Sequence, residues 1–436
     1  MAGLQRGTAS GALDVAPLAR ATGSGFEPYV WAPTVRDVAA RHGLSPAHVL
    51  RFDANLPAFP APLAPAAERA LVDRGEYPDG GYRELRAAAA AYAGCEPDEL
   101  VVDAGADGLI ALVARTYLSP GSIAVTEAPT YPLYAVASGI EGADVRTVAR
   151  DLDALAAAAS DARVLWLCNP GNPSGELWPP DEIVRLADSV PDTLVAVDEA
   201  YFEYAGQTTA GAARNLPNLV CMRTLSKAFG LAGLRVGYAI ASQEVAAELG
   251  TRRSPAPIAT TAATLAAGAL REPRVDGEVA ATLAERERMR RALAAAGYGV
   301  PEVHANFVVV RSPEALAVAA ELEGRGLVVR GLEDSLRITV RSPADDDLVL
   351  RALGVEPPPS ERPSATVFGP RVRVSVASEG SGRARSASGQ DERDRRVEAL
   401  AVETWIDIEL VADPGAADAD VEGALDEALT QVGFRG

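Results

Sequence analysis

The chain has 436 residues, 48% of them hydrophobic, so it can bury a large core and hold two or three domains. Its formal net charge of -19 argues against a nucleic-acid partner, because phosphate binding needs a basic face. No apolar run approaches the roughly 18 to 20 residues of a membrane span. The cysteines Cys95, Cys168 and Cys221 are far apart and lack metal-ligand spacing. We therefore expect a cytoplasmic globular protein without a metal site and with neither a nucleic-acid nor a membrane partner.

The N-terminal part of the chain carries helix signals. Residues 1–27 are small and polar, and we expect a loose arm there. Val35 to Arg41 is predicted to form a short helix that ends at Gly43. A second helix is predicted to begin at Ser45, because serine caps helix starts and Pro46 fits the first turn.

Five short apolar segments are predicted to be strands, and each is followed by small, polar or turn-forming residues. A carboxylate at the C-terminal end of a parallel strand belongs to the ligand edge of an open sheet. A strand that turns through small residues into a helix also points free amides and the positive helix end at an anion. The strands and the segments after them are 100–103 with 104–108, 122–126 with 129–131, 164–168 with 169–175, 194–197 with 198–201, and 220–223 with 224–238.

Lys227 is the only lysine in the sequence. Arginine cannot form a Schiff base, because its guanidinium stays protonated, so amine–carbonyl chemistry through a lysine must use this residue. Thr224 and Ser226 place hydroxyls just before it, and Arg235 follows with a fork that suits phosphate. The alternative, a surface lysine in an arginine-rich chain, leaves these neighbours unexplained.

Several motifs occur together in one order: Tyr77-Pro78, the turn Gly105-Ala106-Asp107, the double Asn-Pro loop 169–175, Asp198-Glu199-Ala200-Tyr201 and the lysine segment 224–238. From about Arg51 to about Gly354 the chain resembles fold-type I pyridoxal-phosphate (PLP) aminotransferases, in particular the histidinol-phosphate aminotransferase family. The resemblance implies an α/β fold: a large domain with a mostly parallel seven-stranded sheet flanked by helices, and a smaller α+β domain. The expected division is 1–27 arm, 28–60 with 251–355 small domain, 61–250 large PLP-binding domain, 356–395 linker, and 396–436 accessory segment.

The resemblance also implies a PLP site. Lys227 would be the catalytic residue that holds the cofactor, Asp198 would pair with the pyridine nitrogen, and Asn172 and Tyr201 would bind the phenolate oxygen. Tyr131 would stack on the ring. In the family the tyrosine at Tyr77 reaches the phosphate of the neighbouring subunit, which implies a homodimer. The expected phosphate-binding residues are Gly105, Ala106, Asp107, Thr224, Ser226 and Arg235.

Substrate recognition is expected at three positions. The resemblance places Asn55 over the mouth of the site and Arg337 on the anionic end of the substrate, with Arg330 assisting on a phosphate. The sequence departs from the family here, because only 331–335 lie between Arg330 and the strand predicted over 336–340, where the family has a longer loop, and Arg341 stands where a glycine is usual. The expected activity is histidinol-phosphate:2-oxoglutarate transamination, with an amine and a 2-oxo acid as substrates. A threonine-phosphate decarboxylase, an aromatic amino-acid aminotransferase and a regulatory PLP-fold protein remain the alternatives.

The chain after residue 356 changes character. Residues 357–363 are rich in proline and charge and are typical of a linker, and 380–395 are polar and low in apolar residues. Segments 371–376 and 402–410 alternate polar and apolar residues, which predicts two strands. A helix is predicted over 420–432.

Overall fold

The structure, a computed structural model, describes residues 22–57 apart from 24 and 31, residue 70, residues 75–359 apart from 272 and 274, and two C-terminal strands. The strands are β1 (Leu50–Arg51), β2 (Leu100–Asp103), β3 (Ile123–Ala128), β4 (Asp144–Ala149), β5 (Val164–Cys168), β6 (Leu194–Asp198), β7 (Leu219–Thr224), β8 (Gly237–Ile240), β9 (Phe307–Arg311), β10 (Leu327–Val328), β11 (Arg330–Gly331), β12 (Ser335–Thr339), β13 (Arg371–Ser378) and β14 (Thr404–Val411). The α-helices are α1 (Val35–His42), α2 (Arg83–Ala93), α3 (Gly105–Tyr117), α4 (Leu133–Ile140), α5 (Leu152–Ala159), α6 (Pro180–Ser189), α7 (Phe202–Ala205), α8 (Ala210–Ala213), α9 (Gln243–Arg252), α10 (Thr260–Arg271), α11 (Asp276–Ala295), α12 (Ala315–Gly324) and α13 (Pro343–Ala352).

A seven-stranded sheet forms the centre of the larger part, in the order β2-β8-β7-β6-β5-β3-β4. The pairs β3–β4, β3–β5, β5–β6 and β6–β7 are parallel, whereas β8 is antiparallel to both β2 and β7. All strands except β8 therefore point the same way, and their C-terminal ends meet at one edge. The predicted fold class, a mostly parallel seven-stranded sheet flanked by helices, is confirmed.

The sheet is buried on both faces, which explains why its central strands are apolar throughout. Along β5, Leu165 and Leu167 enter one apolar cluster, and Trp166 enters the other. Successive side chains of a strand point to opposite faces, so one short strand supplies both cores. Burial on both faces fixes the register of β5 and thus the position of the loop that follows it.

Helix α10 packs with this larger core. Its residues Ala262, Ala266 and Leu270 belong to the same cluster as the sheet residue Leu167. The expected boundary at residue 251 assigned this helix to the small domain. The boundary itself stays a prediction, but the packing places α10 with the seven-stranded sheet, because its alanine-rich face fits closely against α2.

A smaller sheet has the order β11-β12-β9 and is antiparallel, and β1 pairs in parallel with β10 beside it. Its apolar cluster includes Phe52, Met289, Val308 and Ile338. Strands β9 and β12 contribute Val308 and Ile338 to this cluster. Phe52 thus shares one core with residues between 289 and 355, as expected for a smaller α+β domain.

Of the two helices predicted near the N-terminus, the first is confirmed and the second was wrong. Helix α1 has a capping box between Thr34 and Asp37 and ends at Gly43, which has a φ of 66°. Ser45 caps only a three-residue 3₁₀ turn, so no second α-helix begins there. The reason is that Leu50 already pairs with Leu327 in β1, which forces the chain into an extended path.

The C-terminal unit begins at Glu361. Strands β13 and β14 pair antiparallel from Arg371↔Val411 to Ser378↔Thr404, which confirms the two strands predicted there. Residues 1–21 of the expected arm, residues 360–370 and 379–395 of the expected linker, residues 396–403 of the accessory segment, and the helix predicted over 420–432 lie outside the described residues. Within the described part, no helix is long and apolar enough to cross a membrane, and no cluster of His, Cys, Asp or Glu could hold a metal ion.

Candidate active site

The predicted site residues gather at the edge where the parallel strands end. Asp198 is the last residue of β6 and pairs with Cys168 of β5, and Thr224 ends β7. The turn at Gly105 follows β2, and Tyr131 follows β3. This edge is where open α/β sheets bind ligands.

An anion cradle forms where β2 turns into α3. Gly105 opens the helix with a φ of 73°, a conformation that favours glycine. Arg235 lies across it, and its Nη2 is 3.0 Å from Asp107 Oδ2 and 3.4 Å from the Ala104 carbonyl oxygen. A Cβ on Gly105 would lie 2.8 Å from that Nη2. The helix N-terminus and a guanidinium thus meet at one place, which suits a phosphate.

Two hydroxyl side chains complete the set of residues that the sequence analysis predicted to bind a phosphate. Thr224 and Ser226 are buried, and their hydroxyl oxygens are 2.9 Å apart. Gly237 lies against the cradle, because a Cβ there would be 2.7 Å from the Gly105 carbonyl carbon. The end of β7 and the start of β8 are therefore held against the first turn of α3.

Asp198 is buried, and both of its carboxylate oxygens are bonded. Tyr134 donates its hydroxyl to Oδ2 at 2.8 Å, and the Ala200 amide donates to Oδ1 at 3.1 Å. Burial raises the pKa of Asp198 to about 6, while these two hydrogen bonds oppose the rise. With this pKa the carboxyl is mostly ionised at neutral pH, and a carboxylate at this edge can pair with a cationic group of a ligand.

Lys227 is partly buried, and its ammonium is 5.7 Å from the centroid of the Tyr201 ring. Its Nζ donates to the Ala54 carbonyl oxygen at 3.3 Å. Burial and the nearby Arg337 lower the pKa of Lys227 to about 8, against the opposing field of Asp198. A lysine with this pKa has a substantial neutral fraction near pH 8, as a nucleophile or general base requires.

Contacts between distant segments position the polar groups above this edge. Asn55 donates its Nδ2 to the Tyr201 hydroxyl at 2.9 Å and accepts from the Thr339 hydroxyl at 2.9 Å. Arg337 donates to Asn172 Oδ1 and, at 2.5 Å, to the Asp53 carbonyl oxygen. The smaller sheet thereby brings Asn55 and Arg337 to Tyr201 and Asn172, which the larger sheet supplies.

The guanidinium of Arg337 has one N–H donor that is not used by the contacts above. Within the described residues, its buried Nε has no hydrogen-bond partner. Arg330 faces Arg337 directly across the β11–β12 pair, so both side chains lie on one face of the sheet. Burial lowers the pKa of Arg337, and the positive charge of Arg330 adds to the effect. Two neighbouring cations with a free donor favour an anionic ligand.

Of the aromatic residues, Tyr131 lies at the edge and Tyr77 points away from the chain. The Tyr131 hydroxyl donates to Asp107 Oδ1 at 3.1 Å, which places the ring beside the cradle. Tyr29, which the sequence analysis did not identify, lies with its ring centroid 6.4 Å from that of Tyr131. Tyr77 is 93% exposed and contributes nothing to this site within one chain.

The sequence pattern of the family "Aminotransferase class I and II" matches residues 47–353. The chain belongs to this family. The histidinol-phosphate aminotransferase 1 of Thiobacillus denitrificans is 34% identical to this aminotransferase over 346 residues, which covers 75% of this chain and 90% of that protein. The aromatic amino acid aminotransferase of Rhodococcus opacus is 39% identical over 316 residues, covering 68% and 85%.

A solved structure supports the same assignment. The histidinol-phosphate aminotransferase of Sinorhizobium meliloti, in complex with pyridoxal-5'-phosphate, superposes with a TM-score of 0.70 at 27% identity and covers 76% of this chain and 96% of that one. This aminotransferase uses PLP as its cofactor. The residues present fit it: the Gly105 cradle leaves room that a Cβ would fill, and the buried carboxylate of Asp198 faces the same edge as Lys227.

Proposed function

We propose that this aminotransferase transfers the amino group of histidinol phosphate to 2-oxoglutarate. The observation that carries the proposal is the pair Arg330 and Arg337 on one face of the smaller sheet. Neither makes an ion pair with a carboxylate within the described residues, so both charges are available to a ligand. A phosphate monoester carries nearly two negative charges at neutral pH, and two guanidinium groups match it better than one.

The same arginines also explain how one site accepts two different substrates. The second substrate, a 2-oxo diacid, presents a carboxylate instead of a phosphate. The planar fork of Arg337 binds either group through two parallel N–H donors, including the free Nε. Asn172 and the Asp53 carbonyl hold the other two nitrogens in place, so the guanidinium is oriented before the substrate arrives.

The proposed mechanism assigns one task to each residue. Bound PLP supplies a conjugated ring that withdraws electrons from the amine-bearing carbon of the substrate. Lys227 would hold the cofactor, and its neutral Nζ would then accept the proton from that carbon. Asp198 would keep a proton on the ring nitrogen, and Asn172 and Tyr201 would donate to the phenolate oxygen. Tyr131 would cover the ring and exclude water.

We also propose that the active unit is a homodimer. Tyr77 is a large aromatic residue that is 93% exposed in a single chain, and a cavity of about 670 Å³ adjoins it, lined by Pro78, Tyr82 and Thr260 among others. A second subunit would cover this surface and bring its own cradle near Tyr77. Light scattering should give twice the mass of the 45.3 kDa chain, and Tyr77→Phe should weaken PLP binding.

A substrate comparison tests the function. Purified enzyme is titrated with histidinol phosphate, L-phenylalanine and L-threonine phosphate, and glutamate and carbon dioxide are measured. We expect glutamate formation with the highest kcat/KM for histidinol phosphate and no carbon dioxide. In Arg330→Met, kcat/KM for histidinol phosphate should fall by about 10- to 100-fold, while that for phenylalanine changes little. Equal losses for both substrates would contradict the phosphate assignment.

The aromatic amino-acid aminotransferase remains the second candidate. The short turn 332–334 between β11 and β12 favours it, because fewer residues cover the substrate end of the site. The relative from Rhodococcus opacus has the higher identity of the two named above. A higher kcat/KM for phenylalanine than for histidinol phosphate would select this candidate.

A further inference from the structure

A buried tyrosine outside the predicted site touches its central carboxylate. Tyr134 on α4 is fully buried, and its hydroxyl donates to Asp198 Oδ2 at 2.8 Å. None of the tasks proposed above involves it. Within the part of the chain that the structure describes, Tyr134 is the one side chain that hydrogen-bonds this oxygen.

The position of Tyr134 is fixed from several sides. Its ring stacks on Trp166, with centroids 5.5 Å apart and planes 8° from parallel. Its carbonyl oxygen accepts the Ser138 hydroxyl at 2.8 Å, and Ser138 in turn accepts the indole N–H of Trp166 at 3.0 Å. The edge of its ring also meets Tyr131, 5.7 Å away between centroids. A side chain held this way has little freedom to withdraw its hydroxyl from Asp198.

We propose that Tyr134 is a positioning residue that fixes the Asp198 carboxylate and keeps it ionised, so that Asp198 can hold the proton on the ring nitrogen of PLP. Tyr134 acts only through Asp198. The proposal uses the cofactor assignment and the role proposed for Asp198, but it does not depend on which amine is the substrate.

The hydrogen bond from Tyr134 is the main interaction that keeps Asp198 ionised. Burial raises the pKa of Asp198, and Tyr134 is the strongest opposing influence, followed by the Ala200 amide. Asp107 adds a further rise, and Lys227 opposes it. Cys168, the neighbour on β5, has its own pKa raised by burial and stays a neutral thiol.

Removal of the Tyr134 hydroxyl should therefore raise the pKa of Asp198. Tyr134→Phe leaves the burial of Asp198 unchanged and takes away its largest stabilising contact, so the pKa of Asp198 rises further above its value of about 6 in the wild type. A carboxyl that is protonated at neutral pH can no longer hold a charged ring nitrogen by ion pairing. The expected rise is about one pH unit, which corresponds to a tenfold change in equilibrium constant.

The first test measures PLP binding as a function of pH. Apo-protein is titrated with PLP between pH 5 and 9, and the dissociation constant is obtained from quenching of the protein fluorescence. The matched control is Tyr298→Phe, which removes a hydroxyl bonded to the Leu353 carbonyl oxygen at 2.8 Å in the smaller core. We expect the acid-side loss of affinity to move up by about one pH unit in Tyr134→Phe and not to move in Tyr298→Phe.

A second readout needs no cofactor. Because the folded pKa of Asp198 lies above its ordinary value of 3.8, the folded state binds the extra proton, and stability falls as the pH rises from about 4 to about 6. In apo Tyr134→Phe this fall should continue to a higher pH in urea unfolding. In an Asp198→Asn background, Tyr134→Phe should lose its pH-dependent effect.

The outcomes separate the possible roles. A loss of stability or affinity that is equal at every pH would show that Tyr134 only fills space, and would overturn the proposal. If Tyr134→Phe does not fold, Ser138→Ala is used; it should shift the midpoint in the same direction by less, and an unmoved midpoint counts against the idea. A wild type that fails to bind PLP would refute the cofactor assignment instead, and a different preferred amine would leave Tyr134 unaffected.

Discussion

Replacing Gly105 by alanine separates two effects that the cradle combines. The first is backbone strain, because a φ of 73° costs an alanine about 1 to 2 kcal/mol in the folded state. The second is steric: the new Cβ would lie 2.8 Å from Arg235 Nη2 and 3.1 Å from its Cζ, so the guanidinium must move off the helix N-terminus. The backbone strain is present with and without PLP, so it lowers the stability of the folded protein. The displacement of Arg235 instead lowers the affinity for PLP.

The size of the affinity loss follows from the displaced contact. A hydrogen bond between a guanidinium and a phosphate contributes about 1.5 to 3 kcal/mol, so the dissociation constant of PLP should rise by about 10- to 100-fold. Gly43→Ala is the matched control, because Gly43 has a φ of 66° and a Cβ added to it would meet no atom within 4 Å. It should lose comparable stability and bind PLP normally. Fluorescence titration of the apo-proteins and urea unfolding measure the two quantities, and Gly105→Ala binding PLP within about twofold of wild type would refute the cradle.

Three further predictions concern single side chains. Lys227→Ala should abolish transamination, and borohydride reduction of wild-type holoenzyme should attach PLP to the one lysine-containing peptide, as mass spectrometry can verify. In the apo-protein, the rate at which added PLP attaches to Lys227 should increase as the pH rises through about 8, because the attacking form of the amine is the neutral one; a flat profile would contradict this role. Burial raises the pKa of Glu203 to about 8, so the folded state binds an extra proton above the ordinary pKa of 4.5, and stability falls between those values. Glu203→Gln should remove that fall in urea unfolding between about pH 5 and about pH 8.5, and an unchanged slope would exclude it.

The parts of the site that the sequence predicted lie in short, self-contained turns. The loop after β5 is closed by its own residues, since Asn169 accepts the Trp178 amide at 2.7 Å and donates to its carbonyl at 3.0 Å. In such turns proline fixes φ and glycine permits the positive φ that other residues avoid, so neighbouring residues decide the path of the chain. The conformation of the cradle at Gly105 and of the chain at Asp198, where β6 ends, is likewise decided by neighbouring residues.

The parts that the sequence missed depend on partners far away in the chain. Tyr134 is separated from Asp198 by 64 positions, and its ring is held by stacking on Trp166 of β5. Nothing in the segment around Tyr134 distinguishes it from an ordinary core tyrosine. The failed helix at Ser45 has the same origin, because the pairing of Leu50 with Leu327 overrides a local capping signal.

The charges of the site are coupled, and the coupling connects substrate binding with proton transfer. Arg337 is the largest charged influence that lowers the pKa of Lys227, and it does so while its own Nε is unpaired within the described residues. An anionic substrate that binds Arg337 neutralises this field, so the proton affinity of Lys227 must rise when the substrate is present. The lysine is therefore easier to deprotonate in the empty site and a stronger base once the substrate is bound. Asp198, whose pKa is about 6, would keep its charge throughout this change, so in the proposed mechanism it would still hold the proton on the ring nitrogen while Lys227 transfers the substrate proton.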